Sequence, residues 1–200
     1  IPLTKVTFYY LTPPNEVNIE KSISAVQDRY PGYPEHNRLE SVYSLENESL
    51  NKSISTLIFP NSNLVSKPNF EKIQSDNFDG IKFSVNSNTD YIISTKKKSV
   101  EVDTFSASGD FIWCRKKSDN INSFFVEYGT NFSHKNFGFE SDSPITIYVK
   151  DSKGLIISKG AKIKLNGSNF SSTSFDSTVK VLSQSENHIE VELGSGTFKF

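Results

Sequence analysis

Residues 109–132, GDFIWCRKKSDNINSFFVEYGTNF, hold the only Trp and the only Cys of the chain, two apolar runs of strand length and a polar break between them. In the first run alternate side chains point to opposite faces, so Phe111 and Trp113 share one face and Ile112 and Cys114 the other. Both faces are apolar, which predicts a strand covered on both sides. Ser118, Asp119 and Asn120 supply turn residues, and the second run, Phe124 to Tyr128, returns until Gly129 stops it. Runs this short also suit a buried helix. Aromatic and β-branched enrichment with Gly at both ends favours a β-hairpin.

The same signals recur on both sides of this hairpin. Residues 3–11 form a strand pattern that Thr12, Pro13 and Pro14 end. Val17, Ile19, Ile23 and Val26 fall near helical spacing and mark either a short helix or an irregular edge strand. Three breakers in Pro31, Gly32 and Pro34 predict a rigid loop. Residues 39–45 and 53–59 read as a pair of strands, and the polar stretch 64–79 as a long loop. About fifteen strand signals follow one another at roughly 8–12-residue spacing, with Gly, Asn, Asp and Ser between them. The expected fold is all-β: a large antiparallel β-sandwich of two packed sheets with at most one short helix. No shift in composition marks a linker, so residues 1–200 are read as a single domain. The chain contains no Met, which makes it an expected piece of a longer, multidomain protein.

Composition narrows the partners. Lys and Arg number 22 against 23 Asp and Glu, a formal net charge of -1, so the chain has no general attraction for nucleic acid or an anionic membrane. No run approaches the about 18 apolar residues that a spanning helix requires. A single Cys excludes an internal disulfide, and Cys114, alternating with core-type neighbours, reads as a buried inert thiol. Asn-x-Ser sequons start at Asn47, Asn51, Asn131, Asn166 and Asn169 and matter only in a host that glycosylates.

Catalytic and metal-binding constellations are not legible. No two of His36, His134 and His188 sit at metal-ligand spacing, so neither metal nor cofactor is expected. His134 and His188 lie within or beside strands, where a structural role is the default. No phosphate loop, nucleophile elbow or paired carboxylates are recognisable. The exposed Pro-rich loop offers the best binding candidates. Tyr30 and Tyr33 can stack on the C–H face of a pyranose, with His36 and Arg38 beside them for polar and cationic contacts. The competing role for the two Tyr is to pack with Pro and stiffen the turn. Two cationic clusters, Lys96 to Lys98 and Arg115 to Lys117, sit at strand connections, where solvated charge is ordinary. Trp113, in a doubly apolar strand, is assigned to the core rather than to a sugar platform.

Three stretches carry a family resemblance: Phe8 to Pro13, the Leu39 to Ser44 run with Thr56-Leu57-Ile58-Phe59-Pro60, and Phe111 to Cys114 with the Glu127-Tyr128-Gly129-Thr130 end of the hairpin. Together they resemble the C-terminal β-sandwich of heparinase II/III-like polysaccharide lyases. In that family an α-helical toroid supplies most of the active site, and this chain matches none of the catalytic motifs. The resemblance therefore implies a non-catalytic sandwich that supports an upstream α-helical domain. It implies an acidic, uronate-containing polysaccharide as the partner, in a secreted, periplasmic or cell-surface setting. A free-standing carbohydrate-binding or adhesive sandwich is the alternative.

Overall fold

The computed structural model describes residues 5–10, 16–26, 36–46 and 56–61 through their backbone, and residues 69–170, 172–175 and 177–200. Contacts divide the chain into two compact units, Ile1–Asn63 and Leu64–Phe200.

In the first unit β1 (Lys5–Tyr10) pairs antiparallel with β4 (Thr56–Asn61), and β2 (Glu16–Val26) with β3 (His36–Glu46). The helix alternative at 17–26 gives way to a strand for a simple reason. Val17, Ile19 and Ile23 satisfy a two-residue period as well as a helical one, and as a strand they register opposite Leu45, Tyr43 and Leu39. The expected pairing of 39–45 with 53–59 is replaced by these two ladders.

The second unit is built on one antiparallel sheet of 11 strands. The strands are β5 (Asn69–Gln74), β6 (Phe78–Val85), β7 (Asn88–Thr95), β8 (Ser99–Val102), β9 (Phe105–Ser108) and β10 (Phe111–Lys117). They continue with β11 (Asn120–His134), β12 (Phe137–Lys150), β13 (Lys153–Asn166), β14 (Lys180–Gln184) and β15 (His188–Lys199). The order across the sheet is β14-β15-β13-β12-β11-β10-β7-β6-β5, with the β8–β9 hairpin joined through β9 to β11. The only helical element among the described residues is a single 3-10 turn, Ser168–Phe170. β5 falls inside the stretch expected to be a loop. Its apolar residues, Phe70 and Ile73, are three positions apart and only half-buried, so the two-residue period that marks inner strands is missing from this edge.

β10 and β11 form the expected hairpin, closed by Ser118 and Asp119 between Lys117 and Asn120, with Ser118 in the left-handed region at φ 55°. Asn122 is an extra residue on β11, because Arg115 pairs with Ser123 and Lys116 with Ile121. Gly129 does not end the second strand. β11 runs on through it to His134, pairing with β10 before the glycine and with β9 after it. At Gly129 a Cβ would run into the Ser108 carbonyl, so only glycine allows the strand to bend that closely over its neighbour. The register of β12 shifts along the same line, between Ser141 and Thr146 against β13.

The bend doubles the sheet over itself. Phe124 and Phe132 lie on one strand eight residues apart, which is roughly 26 Å in a straight strand. Their rings instead stack at 4.3 Å with planes 13° apart. The result is a β-sandwich whose two layers share their long strands. Ile112, Cys114, Phe124, Val126, Ile147, Val149 and Ile156 from one layer meet Phe105, Phe132, Phe139, Ile163, Leu165, Ile189 and Val191 from the other. Phe105 ties the β8–β9 hairpin in by stacking on Phe132 at 5.5 Å and meeting Tyr91 edge-on at 5.4 Å.

Candidate functional site

The alternation that sends Ile112 and Cys114 into the core leaves Phe111 and Trp113 half-buried on the outer face. The second cover expected for this strand is thus incomplete, and Trp113 is not a core residue. Antiparallel register sets it in a row across the strands: Ile92, Trp113, Phe125, Tyr148, Leu155 and Lys199. A second outer row, one pleat along, runs Asp90, Arg115, Ser123, Lys150 and Lys153.

Trp113 and Tyr148 sit on strands separated by β11, about 9.6 Å apart at two inter-strand spacings. Their ring centroids are 6.4 Å apart and their planes differ by 24°. The two rings therefore lean together above Phe125, whose own ring tilts towards Phe111 at 6.1 Å. The Arg115 guanidinium lies 5.6 Å from the Trp113 ring centroid. Arg115 is held by two parallel hydrogen bonds, Nε to Asp90 Oδ1 at 2.7 Å and Nη2 to Asp90 Oδ2 at 2.8 Å. The Asp90 side chain is 5% exposed and that of Arg115 45%. A buried carboxylate thus fixes a cation whose outer edge stays in solvent.

Beyond Tyr148 the face hollows into an open cavity of about 640 Å³, lined by Tyr148, Leu155 and Phe200 with Lys150, Lys153 and Lys199 around them and Asp151 at the rim. All three lysines are exposed, and among the described residues none has a carboxylate within ion-pair distance. The arrangement is an aromatic surface bordered by four cations, one of them rigidly placed.

Of the residues singled out in the sequence, Trp113 and Arg115 stand at this face. Tyr30 and Tyr33 lie outside the described residues, and His36 and Arg38 occupy the start of β3 in register with Val26 and Ser24. Lys96 and Lys98 are tied to Asp79 and Asp110 at 2.8 and 3.4 Å. His134 is buried, with Nδ1 2.9 Å from the Thr104 carbonyl and Nε2 3.3 Å from that of Asp119, a latch between two turns. His188 Nδ1 meets Ser185 Oγ at 2.8 Å.

Tyr91 donates to Asp103 Oδ2 at 2.7 Å, with Lys82 Nζ 3.2 Å from the same oxygen. Burial, reinforced by the Asp103 carboxylate, pushes the Tyr91 phenol well above its ordinary value. Its proton is held too tightly for acid–base work near neutrality. Burial likewise raises the Cys114 thiol far from the range of a nucleophile.

No motif in the sequence marks Tyr148, Lys150, Lys153 or Lys199 as members of a site. Alternation in Ile145 to Lys150 does mark Tyr148 and Lys150 as outward, but their position beside Trp113 depends on the register of three strands. No protein-family model matches the chain, nor does any curated protein.

Proposed function

We propose that this chain is a non-catalytic polysaccharide-binding sandwich that lays an acidic polysaccharide across the outer row from Trp113 to Lys199. The observation that carries the reading is the near-parallel, half-exposed pair Trp113 and Tyr148 beside Arg115 and three unpaired lysines. An aromatic face complements the C–H face of a pyranose, and a guanidinium or ammonium alongside complements the carboxylate or sulfate that each sugar carries. Charge alone would give a salt-sensitive, unselective contact. Stacking adds a demand for a flat apolar sugar face.

The likeness to heparinase II/III-like lyases suggests the parent protein: a polysaccharide lyase whose α-toroid carries the chemistry while this sandwich supports it and holds substrate. What supports that part is the strand pattern and the three sequence stretches that resemble the family.

Trp113 is the only Trp of the chain, so intrinsic fluorescence reports this site alone. Titration with alginate and with heparin is expected to give a saturable change in Trp113 emission that weakens as salt rises. Tyr148→Ala should cost about 1–2 kcal/mol of binding, roughly five- to thirtyfold in Kd. Unchanged emission with both polyanions, or an affinity indifferent to Tyr148→Ala, would overturn the site. Release of unsaturated uronide by this chain alone, seen as rising ultraviolet absorbance, would overturn its non-catalytic role.

A further inference from the structure

A second concavity lies on the outer face of the other layer and has the opposite chemistry. Register places Ser106, Ser133, Gly138, Asn166 and His188 in one row across β9, β11, β12, β13 and β15. The next outer row begins Ser108, Asn131, Glu140. Between these rows and the turns carrying Asn136 and Asn187 runs an open groove of about 760 Å³.

Its floor is bare by construction. Gly138 has φ 155°, a conformation that L side chains rarely adopt, and a Cβ there would run into the Phe132 carbonyl. With Ser106 and Ser133 as its neighbours in the row, this leaves a trough where a sheet surface would normally carry full side chains.

The walls are amides and hydroxyls. Asn131, Asn136 and Asn187 make no side-chain hydrogen bond within the described residues, so their donors and acceptors face solvent. Asn166 Nδ2 donates to Glu140 Oε1 at 3.2 Å, which orients the one carboxylate. Lys135 also lines the groove, its Nζ donating to the Asp119 carbonyl at 2.9 Å and to Asn120 Oδ1 at 3.1 Å. The groove therefore offers planar, neutral donor–acceptor groups and one acceptor-only carboxylate, with a single lysine, Lys135, whose ammonium is hydrogen-bonded to the Asp119 carbonyl and Asn120.

We infer that this groove binds a neutral saccharide, whose adjacent hydroxyls each donate and accept and so match side-chain amides and a fixed carboxylate. The Glu140 carboxylate opposes the charge of an acidic sugar, and the amides have none to offer it. The inference stands apart from the acidic-chain site: it rests on other residues, on the other layer.

The test is affinity electrophoresis of the whole chain through gels containing a soluble β-glucan, a xylan or a galactomannan, followed by calorimetry with the oligosaccharide of whichever retards it. At least one neutral polysaccharide is expected to slow the chain. The double variant Asn131→Ala/Asn187→Ala should lose about tenfold in affinity, two hydrogen bonds' worth. Asn187→Ala alone, on an exposed turn, should lose about threefold. Trp113→Ala should bind as the wild type does, and Trp113 emission should stay silent to the neutral ligand. Failure of all three neutral gels to retard the chain overturns the inference, whatever alginate or heparin does. So does retardation that the double variant keeps, or that Trp113→Ala abolishes. Neutral binding lost in the double variant upholds the groove even if the acidic site fails.

Discussion

The doubling-over of β11 makes a sharp thermodynamic prediction. In a straight strand Phe124 and Phe132 would stand roughly 26 Å apart and could not sense each other. In the folded sheet their rings stack at 4.3 Å, and both are fully enclosed. Phe124→Leu and Phe132→Leu should each cost about 1–3 kcal/mol through lost contact and imperfect filling of the site. The double variant should cost less than the sum by about 1 kcal/mol, because the stacking that each single change destroys can be lost only once. Urea unfolding followed through Trp113 emission measures all four corners of the cycle, with unchanged m-values confirming the same transition throughout. Phe125, one residue from Phe124 but on the outer face, supplies the control. Phe125→Leu combined with Phe132→Leu should be additive. Additivity within about 0.3 kcal/mol for Phe124 and Phe132 would mean that the rings do not touch and that β11 does not bend at Gly129.

Three further outcomes follow from single contacts. Arg115→Ala strips the buried Asp90 carboxylate of its bidentate partner and should cost about 2 kcal/mol, below the 3–5 of a fully buried pair because Arg115 is half exposed; an unmoved urea midpoint would show that water satisfies Asp90. The Tyr91 hydrogen bond, working against partial burial and helped by Lys82, holds the Asp103 carboxyl below its ordinary 3.8. The folded state therefore binds that proton more weakly than the unfolded state, so the contribution is complete above that value and fades as pH falls through the lower folded one. Between about pH 7 and pH 2 the wild type should lose more urea resistance than Asp103→Asn, and parallel losses would refute the linkage. Cys114, fully enclosed, should ignore an aromatic disulfide reagent in the native protein and react on unfolding; native labelling at the speed of a free thiol would mean the core opens.

How much of the fold was legible depends on which interaction determines each feature. Strand identity around Trp113 is local: alternation, flanking Gly and a polar turn suffice, and β10 and β11 form where those signals place them. The bend at Gly129 is not local. A glycine after Glu127 and Tyr128 carries the same signal whether it ends a strand or bends one, and the deciding contact, the Ser108 carbonyl, lies on a strand about twenty residues earlier. β5 leaves no periodic signal because an edge strand needs only one ladder and tolerates an irregular apolar pattern. β2 was ambiguous because three of its four apolar residues fit both periods, and its cross-strand partners on β3 decide the matter.

The candidate site shows the same division, one level higher. Outward-pointing residues can be named from alternation alone, and Trp113 and Tyr148 both qualify once Cys114 and Val149 are seen to face inward. What alternation cannot supply is which outward residue of one strand stands beside which of another. Trp113 reaches Tyr148 only because β11 pairs Phe125 with both at once, and Lys199 joins the row only because β15 closes on β13. A shift of one residue at either ladder would turn the row to the opposite face and bring the ring of Phe124, not Phe125, beneath the pair. The residues that register fixes most firmly are the core ones, since burying Phe124, Val126, Ile147 and Val149 together permits a single alignment. The outer surface is thus positioned by the inner one. A substitution that loosens the core should degrade ligand affinity at Trp113 before it unfolds the chain, whereas exchange of an outer lysine should change affinity and leave the urea midpoint where it was.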